Sequence, residues 1–259
     1  MIAFSRTDME LLADSIITDY RGSVLTPFSP VDVDRLASEY LGLDVSYMDF
    51  PQDSEILGVT AYSQCCLHLK GQDIQLNSNT VLLAKSLKPG ERGANEGRRR
   101  FTLAHECAHQ ILYRYESAVA REEICRPYSC RRAFSLRELK THEDWNEWQA
   151  DALGAALLMP EELVKRVVYL FTPDSKLTRY GDWFPPEEYR RLDNMSRFLG
   201  VSHAALLIRS NSWDFWSRRD PVIIEILWMW WLHEEKTICT ANASDVGEDQ
   251  KSRAGCGRA

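Results

Sequence analysis

His105, Glu106 and His109 stand in the order HECAH, inside a stretch (residues 98–114) whose apolar residues recur at helical spacing: Phe101, Leu103, Ala104, Ala108, Ile111 and Leu112. Residues four apart on a helix share one face, with Cβ atoms about 5–6 Å apart. Two imidazoles placed that way can converge on one Zn²⁺ at about 2.0–2.1 Å. Glu106, directly after the first histidine, faces the neighbouring open position. There a carboxylate can take a proton from water and pass it to a leaving amine. Such chemistry wants His at both ends, Glu second, and a helix beneath them. The flanks FTLA and QIL are apolar, so the spacing predicts a half-buried helix.

A catalytic zinc takes a third protein ligand and leaves its fourth position to water. The best candidate lies 38 residues on, in EWQAD (147–151). Glu147 is placed to ligate the metal. Asp151, one turn later on the same face, can accept the outer N–H of a bound histidine and so fix its tautomer. His142, Glu143 and Asp144 are the rivals, but they precede the helix in polar sequence, where a ligand is harder to hold. Tyr113, His142 and His203 are all candidates for the donor to a developing oxyanion, and spacing does not choose among them. The run Arg98–Arg100 at a helix start opposes the helix dipole, which calls for a carboxylate such as Glu91 or Glu96 to hold one of the three. Cys107 points away from the histidines and reads as core. Cys65, Cys66, Cys125 and Cys130 make a poor second zinc set, because adjacent cysteines do not suit a tetrahedral metal and no CxxC pair is present.

The elements that must position these groups can be traced along the chain. Met9–Tyr20 has helical spacing and ends near Gly22. Ser29-Pro30 supplies a cap and first-turn proline for a second helix, closed by Gly42. Strand-like runs follow at Leu43–Met48, Ile56–Tyr62 and Asp73–Asn77, the last continuing through Val81–Ser86, as in a small antiparallel sheet. Lys88–Gly97 is a loop by its Gly, Pro and Asn content. After the HECAH helix, residues 115–142 are polar and weakly periodic, an insertion with room for one short helix. Trp145–Leu158 is a second strong helix, broken by Met159-Pro160 before a third begins at Glu161. Pro185-Pro186 opens another, stopped at Gly200, and Ser202–Ser210 follows as one more.

Composition bounds the partners. The 259-residue chain carries 31 basic and 38 acidic side chains, a net charge of −7, so it has no general attraction for phosphates and direct nucleic-acid binding is disfavoured. The most apolar run, Val222–Leu232, is too short to span a bilayer and contains Glu225, which makes it a buried or interface helix rather than a membrane span. The N-terminus has no secretion-signal pattern, and seven cysteines without regular spacing fit reduced thiols in a cytoplasm. From about Lys236 the sequence is polar and reads as a disordered tail.

The stretches RRRFTLAHECAH (98–109) and EWQADALGAALLMP (147–160) together resemble the ImmA/IrrE family of zinc metallo-endopeptidases, whose pattern is RxRFTxAHExxH followed by ExxA(N/D)xFAxxLLMP. Cys107 and Leu153 depart from it, as swaps of buried type. The resemblance implies a metal set of His105, His109 and Glu147, with Glu106 as the catalytic base, Asp151 behind the ligands and Zn²⁺ as cofactor. It also implies an α+β fold in which a small antiparallel sheet packs on a zincin-like helical core. MSRFLGVSHAALLIRS (195–210) looks like the family's winged-helix-like stretch. The expected domains are a peptidase domain over 1–175, a helical winged-helix-like region over 176–235 and the tail over 236–259. The implied substrate is a helix-turn-helix transcriptional repressor. The competing expectation is a non-catalytic regulatory or antitoxin-like binding protein with a structural zinc.

Overall fold

The segment TVLLA is buried at all five positions, alternate side chains entering apolar clusters on opposite faces of one sheet: Val81 and Leu83 on one side, Leu82 and Ala84 on the other. Such a strand must lie inside a sheet covered on both faces. The structure, a computed structural model, describes residues 4–22, 28–51, 55–69, 71–116, 128–132, 142–172, 176–180, 184–210, 213 and 216–219. Along the chain run α1 (Arg6–Arg21), the short α2 (Val33–Arg35) continued by a wider turn over Leu36–Tyr40, β1 (Asp44–Met48), β2 (Ile56–Ala61), β3 (Cys65–Leu69), β4 (Gln72–Leu76) and β5 (Thr80–Ala84). Then come α3 (Glu96–Tyr115), β6 (Tyr128–Arg132), α4 (His142–Leu158), α5 (Glu161–Phe171), β7 (Leu177–Tyr180), α6 (Pro186–Leu199), α7 (His203–Ser210) and β8 (Trp216–Arg219).

The main sheet has the order β1-β5-β2-β6. It is mixed rather than antiparallel as expected: β1 runs parallel to β5, with Asp44 opposite Thr80, while β2 runs against both β5 and β6. The chain passes through β2 and the β3–β4 hairpin before β5 slots between β1 and β2, which leaves β1 and β5 pointing the same way. The expected run from Asp73 to Ser86 is two strands, because Asn79 takes φ 65° and turns the chain between them; Asn tolerates that left-handed region. Strand β3 was not expected at all. Strand β6 falls in the 115–142 insertion, where no strand was expected; the rest of that insertion, with its room for a short helix, the helix proposed at Val222–Leu232 and the tail from Lys236 lie outside the described residues. The cap of α2 is Asp32, whose side chain accepts from the Arg35 N–H, and not Ser29-Pro30.

On one face of the sheet, α3 packs against β2 and β5, α4 packs on α3, and α1 packs on α4. Leu103, Ala104, Cys107 and Ala108 meet Ala150, Leu153 and Leu157 in one apolar cluster, which also takes in Leu192, Met195 and Leu199 of α6 and Leu206 of α7. Helix α6 ends at Gly200, and Val201-Ser202 lead into α7, the helix–VS–helix layout read from the sequence. Strands β7 and β8, which flank these two helices in the sequence, pair with each other in parallel. On the other face, Leu67 of β3 and Leu76 of β4 pack with Phe50, Ile56, Val59 and Leu82. Among the described residues no helix is long and apolar enough to cross a membrane.

Candidate metal centre

Helix α3 begins at an Asn95 cap whose side chain accepts from the Arg98 N–H. The awkward arginine run just inside is resolved at Arg99, which is only 5% exposed. Its guanidinium donates to both Asp34 oxygens at 2.6 and 2.7 Å and to both Glu96 oxygens at 2.9 and 2.7 Å. Glu96 therefore plays the part expected of it or Glu91, and Asp34, 65 residues away, joins it. Arg100 donates to the Val31 carbonyl. Further along, Gln110 donates to Thr60 Oγ1 and to the Ala61 carbonyl, both at 2.8 Å. Helix α3 is thus fixed in rotation at both ends of its chemical segment.

Two glycines let neighbouring elements come close enough. A Cβ on Gly154 of α4 would stand 3.1 Å from the His105 backbone nitrogen and 3.2 Å from the Ala104 carbonyl, so α4 crosses α3 directly at the first histidine. A Cβ on Gly58 of β2 would stand 2.4 Å from Glu106 Oε1 and 2.9 Å from Thr102 Cγ2. Gly58 lies where β2 slips register against β6, a local bulge. The sequence reading did not single out Gly58. The available signal was a glycine inside a strand pattern, which marks a close approach.

The predicted residues come together. His105 Nε2 lies 3.0 Å from His109 Nε2. One Glu147 oxygen lies 3.3 Å from His105 Nε2, and the other 3.3 Å from His109 Nε2. On the far side of the ring, His105 Nδ1 is 2.9 Å from Asp151 Oδ1. Glu106 is fully buried beside them. Of the rivals, His142, Glu143 and Asp144 open α4, and nothing further is described of their side chains. Tyr113 stacks on Tyr62 with ring centres 4.5 Å apart, and His203 lies against Tyr189 at 4.7 Å. Cys107 is buried in the apolar cluster, as expected, and burial pushes its thiol well above the usual range.

This donor set suits a divalent cation. A neutral His105 that donates Nδ1–H to Asp151 turns the lone pair of Nε2 inward, toward His109 and the Glu147 carboxylate. Electron pairs so gathered repel unless a positive centre sits among them. Tetrahedral donors about 2.0–2.1 Å from one zinc lie about 3.4 Å apart, close to the spacings found here. The three ligand atoms all fall within 4.8 Å of one another. Burial lowers the pKa of His109 despite the raising effect of Glu147, which favours the neutral imidazole that a metal requires. Burial opposes ionisation of Glu147, but the neighbouring His105 and His109 rings outweigh it and hold the carboxyl below its ordinary range. The His105 and His109 side chains are 1% and 4% exposed, Glu147 is 21% and Asp151 41%, so the centre opens to solvent on the α4 side.

No curated protein matches the chain. Among solved structures, a Mycobacterium tuberculosis transcriptional regulator matches at 17% identity with a TM-score of 0.40, over 78% of this chain and 55% of that one. The chain therefore spans about half the length of that regulator. The family model described as the IrrE N-terminal-like domain, a peptidase family, matches residues 39–211, a span that contains both sequence motifs and every residue of the centre just described. On a match covering more than half its length, the chain belongs to the ImmA/IrrE peptidase family.

Proposed function

We propose that the protein is a zinc-dependent endopeptidase of the cytoplasm whose substrate is a helix-turn-helix transcriptional repressor. One observation carries the reading: His105, His109 and Glu147 converge on a single point with Glu106 buried beside it and one side left open. His105, His109 and Glu147 would hold the metal, which when bound supplies Lewis acidity to polarise the scissile carbonyl and acidify water. The remaining work falls to the chain. Asp151 fixes the tautomer and orientation of His105. The Glu106 carboxylate, walled in by α3 and the bare backbone at Gly58, accepts the proton of the attacking water and returns it to the leaving amine. The buried imidazoles and the apolar α3–α4 seam keep bulk water from the back of the site.

The competing reading, a binding protein with a purely structural zinc, fits less well. Structural zinc sites are closed by four protein ligands, whereas catalytic ones keep three and an open position. Three ligating residues among the described residues and a partly exposed Glu147 match the second pattern. The test is cleavage of a helix-turn-helix repressor by zinc-loaded protein, with wild type and Glu106→Gln compared at equal metal content. The variant is expected to lose about 10²–10⁴-fold in rate, the range for a general acid–base group. Full proteolysis by Glu106→Gln would overturn the mechanism.

A further inference from the structure

A second cluster of metal-ligating side chains stands on the β3–β4 hairpin, on the far face of the sheet from α3. In an antiparallel pair, residues two apart on one strand share a face, and directly opposed residues share it too. His68 is opposite Asp73, and Cys66 precedes His68 by two. The three groups therefore line one face of the hairpin, while Leu67 and Leu76 of the other face are buried under the sheet. The adjacent Cys65 falls on that inner side, packed against the same apolar cluster. This explains why two neighbouring cysteines cannot serve one metal here, and why only the second is presented outward. The partners of Cys66 are across and along the hairpin, not beside it in sequence.

The ligand atoms of Cys66, His68 and Asp73 all lie within 4.8 Å of one another. Cys66 Sγ is 3.9 Å from His68 Nδ1, and His68 Nδ1 is 2.6 Å from Asp73 Oδ1. Around a tetrahedral zinc, with sulfur at about 2.3 Å and nitrogen or oxygen at about 2.0–2.1 Å, those separations become about 3.6 and 3.4 Å. The sulfur is already near its place. The His68–Asp73 pair needs to open by under about 1 Å, which two side chains 73% and 69% exposed can do. A thiolate, an imidazole and a carboxylate together favour a borderline-soft transition metal over calcium or magnesium. We infer that Cys66, His68 and Asp73 form a second transition-metal site, open to solvent and independent of the His105 centre.

Cobalt(II) titration of the full-length, reduced protein tests this. A cobalt–thiolate bond gives a near-ultraviolet charge-transfer absorption that His and carboxylate ligands do not. Wild type is expected to take up two equivalents, one of them with that absorption. Cys66→Ser should lose the absorption and one equivalent. The double variant His105→Ala/His109→Ala should keep both the absorption and that equivalent, so failure of the peptidase centre and failure of the hairpin site give different results. Asp73→Asn should weaken the thiolate-bearing site and leave the other unchanged. A wild type without that absorption, or an absorption that survives Cys66→Ser, would show the cluster to be a cross-strand ion pair beside a bystander thiol.

Discussion

Three carboxylates surround the two imidazoles, and their settings divide the tasks. Glu147 spans both Nε2 atoms, and the two rings hold its carboxyl below the ordinary range. Asp151 Oδ1 faces the outer nitrogen of His105. Asp151→Asn should therefore keep the fold and weaken metal binding about 10–100-fold, the usual effect of removing such an outer partner; competition with a chelator of known affinity reads it directly. Glu106 touches the backbone side of the site instead, against Gly58. Gly58→Ala forces a methyl group to within 2.4 Å of Glu106 Oε1, so carboxylate or strand must shift. We expect stability to fall by about 1–3 kcal/mol, the range for overpacking a filled core, and proteolysis to fall further than metal content does. Urea melts, metal analysis and a cleavage assay on one preparation separate these effects.

At the scale of elements, α3 is held by ion pairs of very different worth. Arg99 is buried and grips two carboxylates, whereas the Arg35–Glu39 pair lies in solvent. Arg99→Met should cost about 1.5–3 kcal/mol, as expected for charged hydrogen bonds lost from a buried donor, while Arg35→Met should leave stability close to wild type. Chemical denaturation distinguishes the two. The Arg99 guanidinium also holds the Asp34 carboxyl below its ordinary range. Its folded pKa is thus lower than its unfolded one of about 3.9. The stabilisation is present above that value and disappears as pH falls through the folded pKa. The stability gap between wild type and Asp34→Asn should accordingly narrow on acidification below about pH 4. Pairings of this kind were out of reach of a linear reading. The residues of the metal group were legible because His105 to His109 and Glu147 to Asp151 are helical spacings, and helices report their geometry locally. Helices α1, α3 and α4 were legible for the same reason. Strand β6 was not: YSCRR has little alternation, and its partner β2 lies about 70 residues earlier. Strand β3 was missed because Cys and His interrupt the apolar alternation of CCLHL. Arg99 met Asp34, and Arg35 found its cap at Asp32, through contacts or choices that spacing does not encode.

For the molecule as a whole, metal and fold are linked. Donors from α3 and α4 meet only in the folded chain, so an ion that binds there stabilises the native state alone. Zinc at about 100 times its dissociation constant should add about 2.7 kcal/mol and raise the melting temperature; chelation should reverse this. His105→Ala/His109→Ala should show no such shift from the His105 centre, and calorimetry with and without chelator measures it. Were wild type to melt identically in both, His105, His109 and Glu147 would not be holding an ion.

Arg209 of α7 has a bearing on where such a protein can be cut. Its guanidinium is buried, donates to Glu10 of α1 and to the Met159 carbonyl just after α4, and lies 4.5 Å over the Trp213 ring. The span recognisable as the family domain, residues 39–211, contains Arg209 but neither Glu10 nor Trp213. Excised at those limits, it would strand a cation in the interior without its counter-charge and strip the apolar cover of Met9, Ala13, Ile16 and Ile17 from α4. The smallest autonomous unit is therefore larger than the homologous one, beginning no later than α1 and reaching past Trp213.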